Sequence, residues 1–423
     1  MSSALQRHSE DVPRLVDHLF RHRAGQVVST LTGIFGPQHL QLAEDVVQDT
    51  LLKALQQWSH RGVPENPGAW ITQVAKNQAL DVLRREASFR HHFERLAQAL
   101  DRMDTEADRE EALDSELYDD QLRMIFTCCH PAISPDARVA LTLKTVGGFG
   151  VPEIARAFLV PESTIAQRLV RAKRTLRRQH IPFEVPSAAE LGERLDSVLA
   201  VLYGLFTEGY GAHQGEDLIR HELCAEAIRL TSLLSEHPVG DRLTVHALLA
   251  LMLLQAARLP ARTDEQGDLL LLEEQDRSRW DQRMIVAGLQ QLARSAQGDE
   301  ITTYHLEAGI AAAHAVAPSS AETDWQRILS HYDALLAMTA SPVVALNRTV
   351  AVAMVHGPQA GLEELAGVQA LPGMASYYLL HATSAALHRQ IGDGKRAAAD
   401  YERALALTTN EAERRFLERK RGE

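Results

Sequence analysis

The sequence predicts an all-α protein, on three observations. Aromatic residues are only 5% of the 423, and Ala and Leu are abundant. No long β-branched alternating run appears, while apolar residues recur on a 3.6-residue period in stretch after stretch. Pro and Gly fall between those stretches as helix breaks, at His237-Pro238, Pro260, Pro318, Pro342, Gly357-Pro358 and Pro372-Gly373. The length suits roughly three domains. No apolar core follows a basic start, and no run approaches about 18 apolar residues, so a soluble cytoplasmic protein without a membrane partner is expected. Cys128, Cys129 and Cys224 cannot form a secreted disulfide framework, which agrees with a reducing compartment. The net charge of −12 excludes a chain that holds nucleic acid with its whole surface. Any such contact must be local.

From Pro13 to Phe35 a mixed helical pattern (Leu15, Val16, Leu19, Phe20, Val27, Val28, Leu31, Ile34) ends at Gly36-Pro37. The next helix, about Gln38 to Trp58, has two stripes. Leu40, Ala43, Val47, Leu51, Ala54 and Trp58 form the core side; opposite them lie Leu42, Asp45, Asp49, Leu52 and Gln56. Leucines interleaved with carboxylates are either scattered surface residues or a docking face for a basic, amphipathic partner helix. A polar loop from Ser59 to Pro67 follows. A helix then begins at Trp70, with Ile71, Val74, Ala75, Ala79 and Val82 inward, Gln73, Asn77 and Arg84 on the far side, and Lys76 and Arg85 flanking. Amides, guanidinium groups and an indole beside a loop suit splayed single-stranded bases.

Between Asp101 and Asp120 ten acids face only Arg102 and Arg109, which reads as a linker, either a solvated tether or an acidic strand threading a basic channel. Gln121 to Leu143 supplies a helical pair broken near His130-Pro131 and Ser134-Pro135. Cys128, Cys129 and His130 are adjacent rather than spaced as metal ligands. Packed core residues are therefore expected, and no metal. Val151 to Arg178 has the spacing of a helix-turn-helix. Pro161 suits the opening of its second helix and Ser163 with Thr164 its first-turn amides. Ile165, Leu169, Ala172 and Leu176 form one apolar stripe, and Ser163, Gln167, Arg171, Arg174 and Arg178 lie opposite at 100° per residue. Glu162 is the single acid between Pro161 and Arg178, so the helix suits guanine edges and phosphates better than a solvated surface.

From Glu190 onward no phosphate loop, nucleophile elbow or zinc-protease motif appears, so no catalytic residue and no cofactor are expected. The last helical pair fits a tetratricopeptide pattern, with Ala385, Gly392, Ala397, Tyr401 and Ala404 at its small, turn, small, aromatic and small positions. Gly357 precedes Gly392 by about one repeat of 34 residues. Glu208, Gly209, Tyr210 and Gly211 interrupt a helix, as a turn between packed helices or as the lining of a pocket.

The first 180 residues resemble the extracytoplasmic-function sigma factors of bacterial RNA polymerase. The resemblance rests on AEDVVQDTLLKALQQW, NPGAWITQVAKNQALDVLRRE and EIARAFLVPESTIAQRLVRAKRTLRR, in that order across an acidic linker. It implies a region 2-like domain over 1–95, a linker over 96–120, a region 4-like helix-turn-helix domain over 121–180, and a tetratricopeptide-like extension over 190–423. Two departures stand out: Ser163 replaces the Gly usual before the Thr of the second helix, and most members end near Arg178. By the same resemblance Leu42, Asp45, Asp49 and Leu52 dock on core polymerase. Trp70, Gln73, Lys76, Asn77 and Arg84 capture the −10 element, and Ser163, Thr164, Gln167, Arg168, Arg171, Arg174 and Arg178 read the −35 element. The partners implied are core polymerase and promoter DNA, with a regulatory protein or peptide on the extension. The competing class is a helix-turn-helix activator with a helical sensor or scaffold, which would need neither a docking face nor a melting loop before Asp101.

Overall fold

In the computed structural model the regular elements are helices; among the described residues the one β feature is an isolated antiparallel bridge between Thr263 and Leu269. The described residues are 24–64, 66–85, 109–158, 160–187, 189–211, 221–265, 268–408 and 411–422. Leu15, Val16, Leu19 and Phe20 of the first apolar pattern and Asp101 to Asp108 of the acidic segment lie outside them. The chain divides into two compact units, Met1–Gly204 and Leu205–Glu423.

In the first unit α1 (Ala24–Phe35) stops at Gly36, whose φ of 83° only glycine adopts freely, and Pro37 opens a short 3-10 turn into α2 (Leu40–Arg61). All six residues of the anticipated core stripe of α2 are buried. The next helix, α3 (Pro67–Arg85), begins a turn earlier than Trp70. Asn66, which the sequence placed in a loop, is its cap. The Asn66 side-chain oxygen accepts the Ala69 amide at 2.9 Å, its carbonyl accepts the Trp70 amide at 3.2 Å, and Pro67 takes the first position, where its missing N–H leaves no bond unmade.

The acidic segment is also more structured than its composition suggested. Helix α4 (Arg109–Cys128) is already helical at Arg109, so 109–120 is neither an extended strand nor an unstructured tether. Then come α5 (Pro135–Thr145), α6 (Val151–Ala157) and α7 (Glu162–Arg178). Pro161 stands just outside α7 and no side chain caps its first amides, contrary to the role expected of Ser163 and Thr164. Burial of the apolar stripe therefore carries this helix more than capping does.

Helix α8 (Leu191–Tyr210) spans the division between the units. Its first half packs on the helix-turn-helix part: Arg194 donates to the Phe126 carbonyl at 2.8 Å, and Ser197 donates to the Cys129 carbonyl at 2.7 Å while accepting from Arg138. The break read at Glu208 to Gly211 falls late in that stretch: α8 runs unbroken through Gly209 and ends at Tyr210, before Gly211. Gly209 is there for close approach: a Cβ would lie 2.8 Å from Leu223 Cβ and 2.9 Å from the Cys224 amide, on α9 (His221–Glu236).

In the second unit α10 (Leu243–Ala256) is the central helix, packed against α9, α11 (Gln282–Ser295) and α12 (Thr303–Val316). The stretch Leu243–Ala261 is long and apolar enough to cross a membrane by length and composition, which corrects the expectation that no run approaches that size. It is the mostly buried core of this unit. Next come α13 (Trp325–Thr339), α14 (Pro342–His356), α15 (Pro358–Gln369), α16 (Tyr378–Gln390), α17 (Gly394–Leu407) and α18 (Glu411–Gly422), each packed on its neighbour in the chain. Positive φ at Gly357 and Gly392 turns the chain between them, and Ala385, Ala397, Tyr401 and Ala404 are buried. Ion pairs from Arg415 to Asp268 and from Lys420 to Glu274, each 2.6 Å, hold α18 to 268–274.

The tightest approach in the first unit is at Gly25, where a Cβ would meet the Val146 carbonyl oxygen at 2.0 Å. Backbone cannot yield as a flexible side chain does. Gly25→Ala is expected to destabilise the protein by about 1–3 kcal/mol, and thermal unfolding of the variant at the parent's midpoint would disprove the contact.

Candidate nucleic-acid interface

Helix α7 is oriented by its apolar stripe: Ile165, Leu169, Ala172 and Leu176 are all buried, against α5 and α6. That burial turns Ser163, Gln167, Arg171, Arg174 and Arg178 outward, and all five are exposed. Thr164 and Arg168 are half-buried. Arg168 pairs with Asp136 at 2.9 Å, so part of its charge is answered within the protein. Val170, 65% exposed beside these donors, was not singled out in the sequence. An apolar residue between Arg171 and Leu169 carries no periodic signal of its own, yet it suits contact with a thymine methyl.

On α2, Leu52 is 57% exposed, Asp45 and Asp49 are exposed, and Leu42 is half-buried. The four therefore share one accessible side, opposite a filled core. Asp45 accepts from Gln41 at 2.8 Å. On α3, Gln73 and Asn77 are exposed and joined by a 3.3 Å hydrogen bond, while Trp70 is half-buried, its ring edge-on to Trp58 at 5.4 Å. Lys76 is the departure, only 8% exposed. Thr72, four residues before it, is buried as well. The inward face of α3 is thus wider than Ile71, Ala75 and Ala79, and takes in the lysine. The side chain of Arg84 lies outside the described residues.

One contact that the sequence did not suggest joins the two anticipated interfaces. Lys173, on the flank of α7, donates to Glu44 Oε2 and to Gln41 Oε1 of α2, both at 2.7 Å. The pair is largely withdrawn from water, its side chains 15% and 7% exposed, and Glu44 Oε1 is buried without a partner. Beneath it the Cys128 thiol lies 3.1 Å from Thr145 Oγ1 and the Cys129 thiol 3.6 Å from Thr142 Oγ1. Burial raises both thiols, Cys129 to about 12, so they stay protonated and unreactive at neutral pH. His130, lowered first by burial and then by Arg194 and Arg138, accepts the Ala132 amide at 3.1 Å. No grouping of three metal-ligating side chains occurs among the described residues.

Comparison with known proteins agrees with this arrangement. Residues 19–89 match the family described as Sigma-70 region 2, and residues 123–176 that described as Sigma-70, region 4. Residues 194–296 match a family of unknown function. The chain is 38% identical over 384 residues to an uncharacterized protein of Rhizobium meliloti (strain 1021), covering 90% of this chain and 89% of that one. It is 30% identical over 136 residues to the ECF RNA polymerase sigma factor SigL of Mycobacterium tuberculosis, which is 32% of this chain and 72% of that protein. No solved structure matches it.

Removing one partner of a buried pair leaves the other charge unanswered, which costs about 3–5 kcal/mol, whereas replacing both with apolar groups is close to neutral. Lys173→Met alone is expected to lower the unfolding midpoint markedly, and Lys173→Met with Glu44→Leu to recover most of the loss. Single and double variants of equal stability would show that Lys173 and Glu44 are not coupled.

Proposed function

The chain belongs to the extracytoplasmic-function sigma factors of RNA polymerase, and on that premise we propose that it directs core polymerase to a particular set of promoters, with the helices after α8 as a built-in regulatory or partner-binding module. It is a transcription factor rather than an enzyme. The observation that carries the reading is the ordered pair of region 2 and region 4 matches, each with an exposed polar face on a filled core. An activator of the competing class would have no use for the first of them.

In this reading the exposed side of α2, with Leu42, Asp45, Asp49 and Leu52, docks on a basic helical surface of core polymerase. Opposite charge at its rim would steer the encounter, and the leucines would supply apolar area. Trp70, Gln73 and Asn77 take the −10 strand, whereas buried Lys76 serves the fold of α3. Ser163, Gln167, Arg171, Arg174 and Arg178 face the −35 element, with Thr164 and Arg168 at its edge. Such work places the protein in the cytoplasm. The last helical pairs are tetratricopeptide-like in this proposal, supported by the glycine turns at Gly357 and Gly392 and the small buried residues between them. Stacked pairs of that kind offer a concave surface to a protein or peptide.

Transcription in vitro from a genomic fragment library with sigma-free core polymerase tests the reading directly: discrete start sites that require the added protein are expected, and none would overturn it. Leu52→Arg sets like charge against a basic partner, so co-purification with core should fall while the unfolding midpoint holds. A collapsed midpoint with unchanged co-purification would make Leu52 a fold residue instead. Arg171→Ala should cost on the order of 1–3 kcal/mol at one −35 position and relax preference there. Arg178→Ala should weaken all promoters alike and shallow the salt dependence by about one unit. A −35 saturation scan with unchanged base preference in the Arg171 variant would remove it from the reading set.

A further inference from the structure

A cleft in the second unit carries opposite charges that the fold leaves unanswered. It lies between the end of α9, the turn leading to α10, and the last turns of α11. Its volume of about 420 Å³ falls within the roughly 300–1,000 Å³ of small-molecule pockets. Ser232 and Glu236 reach it from α9, Asp241 from the turn, His246 from α10, and Gln291 and Arg294 from α11. The lining is mostly polar, in a unit whose central helix is apolar all round.

His246 is the fixed part of the cleft. Only 4% exposed, it has Asp241 Oδ1 at 2.9 Å from Nε2 and Gln291 Oε1 at 2.7 Å from Nδ1, so it ties the turn and α11 together across α10. With both ring nitrogens engaged it has none left to take a proton from a substrate, and the cleft suits binding rather than reaction. Asp241 is lowered first by its hydrogen bond with His246 and further by the charge of Arg294, which keeps it a carboxylate at neutral pH. Glu236 and Arg294 line the same cavity, yet neither forms an ion pair with the other or with any other described residue. The last turn of α9 carries no base and ends at Glu236, so the partial negative charge of the helix end adds to the two carboxylates. One wall is therefore negative and the other carries a guanidinium.

We propose that this cleft binds a free α-amino acid, with its carboxylate on Arg294 and its ammonium between Glu236 and Asp241. Guanidinium N–H groups match a carboxylate in pairs, and an ammonium has three donors for carboxylate oxygens. The Ser232 hydroxyl and the Gln291 amide stand beside them as neutral partners. A simple anion would face two carboxylates and a simple cation would face the arginine, whereas a molecule with both ends meets neither penalty. The site supplies a ligand for the helical module of the proposed function, but its test reads binding alone and so stands or fails apart from the transcriptional reading.

The experiment is isothermal titration calorimetry of the full-length protein with each of the standard L-amino acids. At least one is expected to bind saturably at one site per chain. Its N-acetyl derivative and its carboxamide each lose one charge and should bind about tenfold more weakly. Arg294→Gln and Glu236→Gln replace exposed side chains, so the unfolding midpoint should hold while affinity falls about tenfold in each. The proposal is overturned if no amino acid saturates, if the two derivatives bind as well as the amino acid itself, or if either variant binds as the parent protein does.

Discussion

One largely buried ion pair sets how α7 lies on α2 in the first unit. The Lys173 ammonium, carried on the basic helix α7, is bonded to Glu44 and Gln41 of α2 across 129 and 132 residues of sequence. Taking two charges out of water is expensive, and the attraction between them in a poorly polarisable interior repays it only with good geometry. Here one carboxylate oxygen is satisfied at 2.7 Å and the other is not. The pair therefore serves better to choose a register than to add stability. With Lys173 anchored on α2 and the leucine stripe sunk against α5 and α6, α7 has no freedom to roll. Arg171, Arg174 and Arg178 are exposed because the opposite and flanking sides are both occupied.

That anchorage also bears on how the two anticipated interfaces relate in the free chain. Gln41 bonds both Lys173 and Asp45, so the residue that helps hold α7 neighbours the acidic rim of the α2 face. Gly25 presses on the Val146 carbonyl from the other side of the same unit, and Thr127 bonds the Pro182 carbonyl.

The second unit solves a different problem. Its helices are Ala-rich and its central helix is apolar all round, so burial is supplied from every side of α10 and does not need polar devices.

Helical class, the stripe of α7 and the two sides of α2 were legible in the sequence because a 3.6-residue period is local: spacing alone settles which residues share a face. Helix limits were less so. Asn66-Pro67 reads equally as loop or cap, the acids from Arg109 onward read as solvated, and Gly209 reads as a break, until the packing of α9 shows why a side chain has no room there. Spacing also cannot say how wide an inward face is, so Lys76, three residues before Ala79, reads as flanking although α3 buries it. Least visible were pairings between distant stretches. Lys173 lies within the basic helix, and no spacing in the sequence ties it to Glu44. Only the tertiary structure decides such cases, since the stability of a charge depends on what lies within a few ångströms of it, and sequence order does not carry that distance.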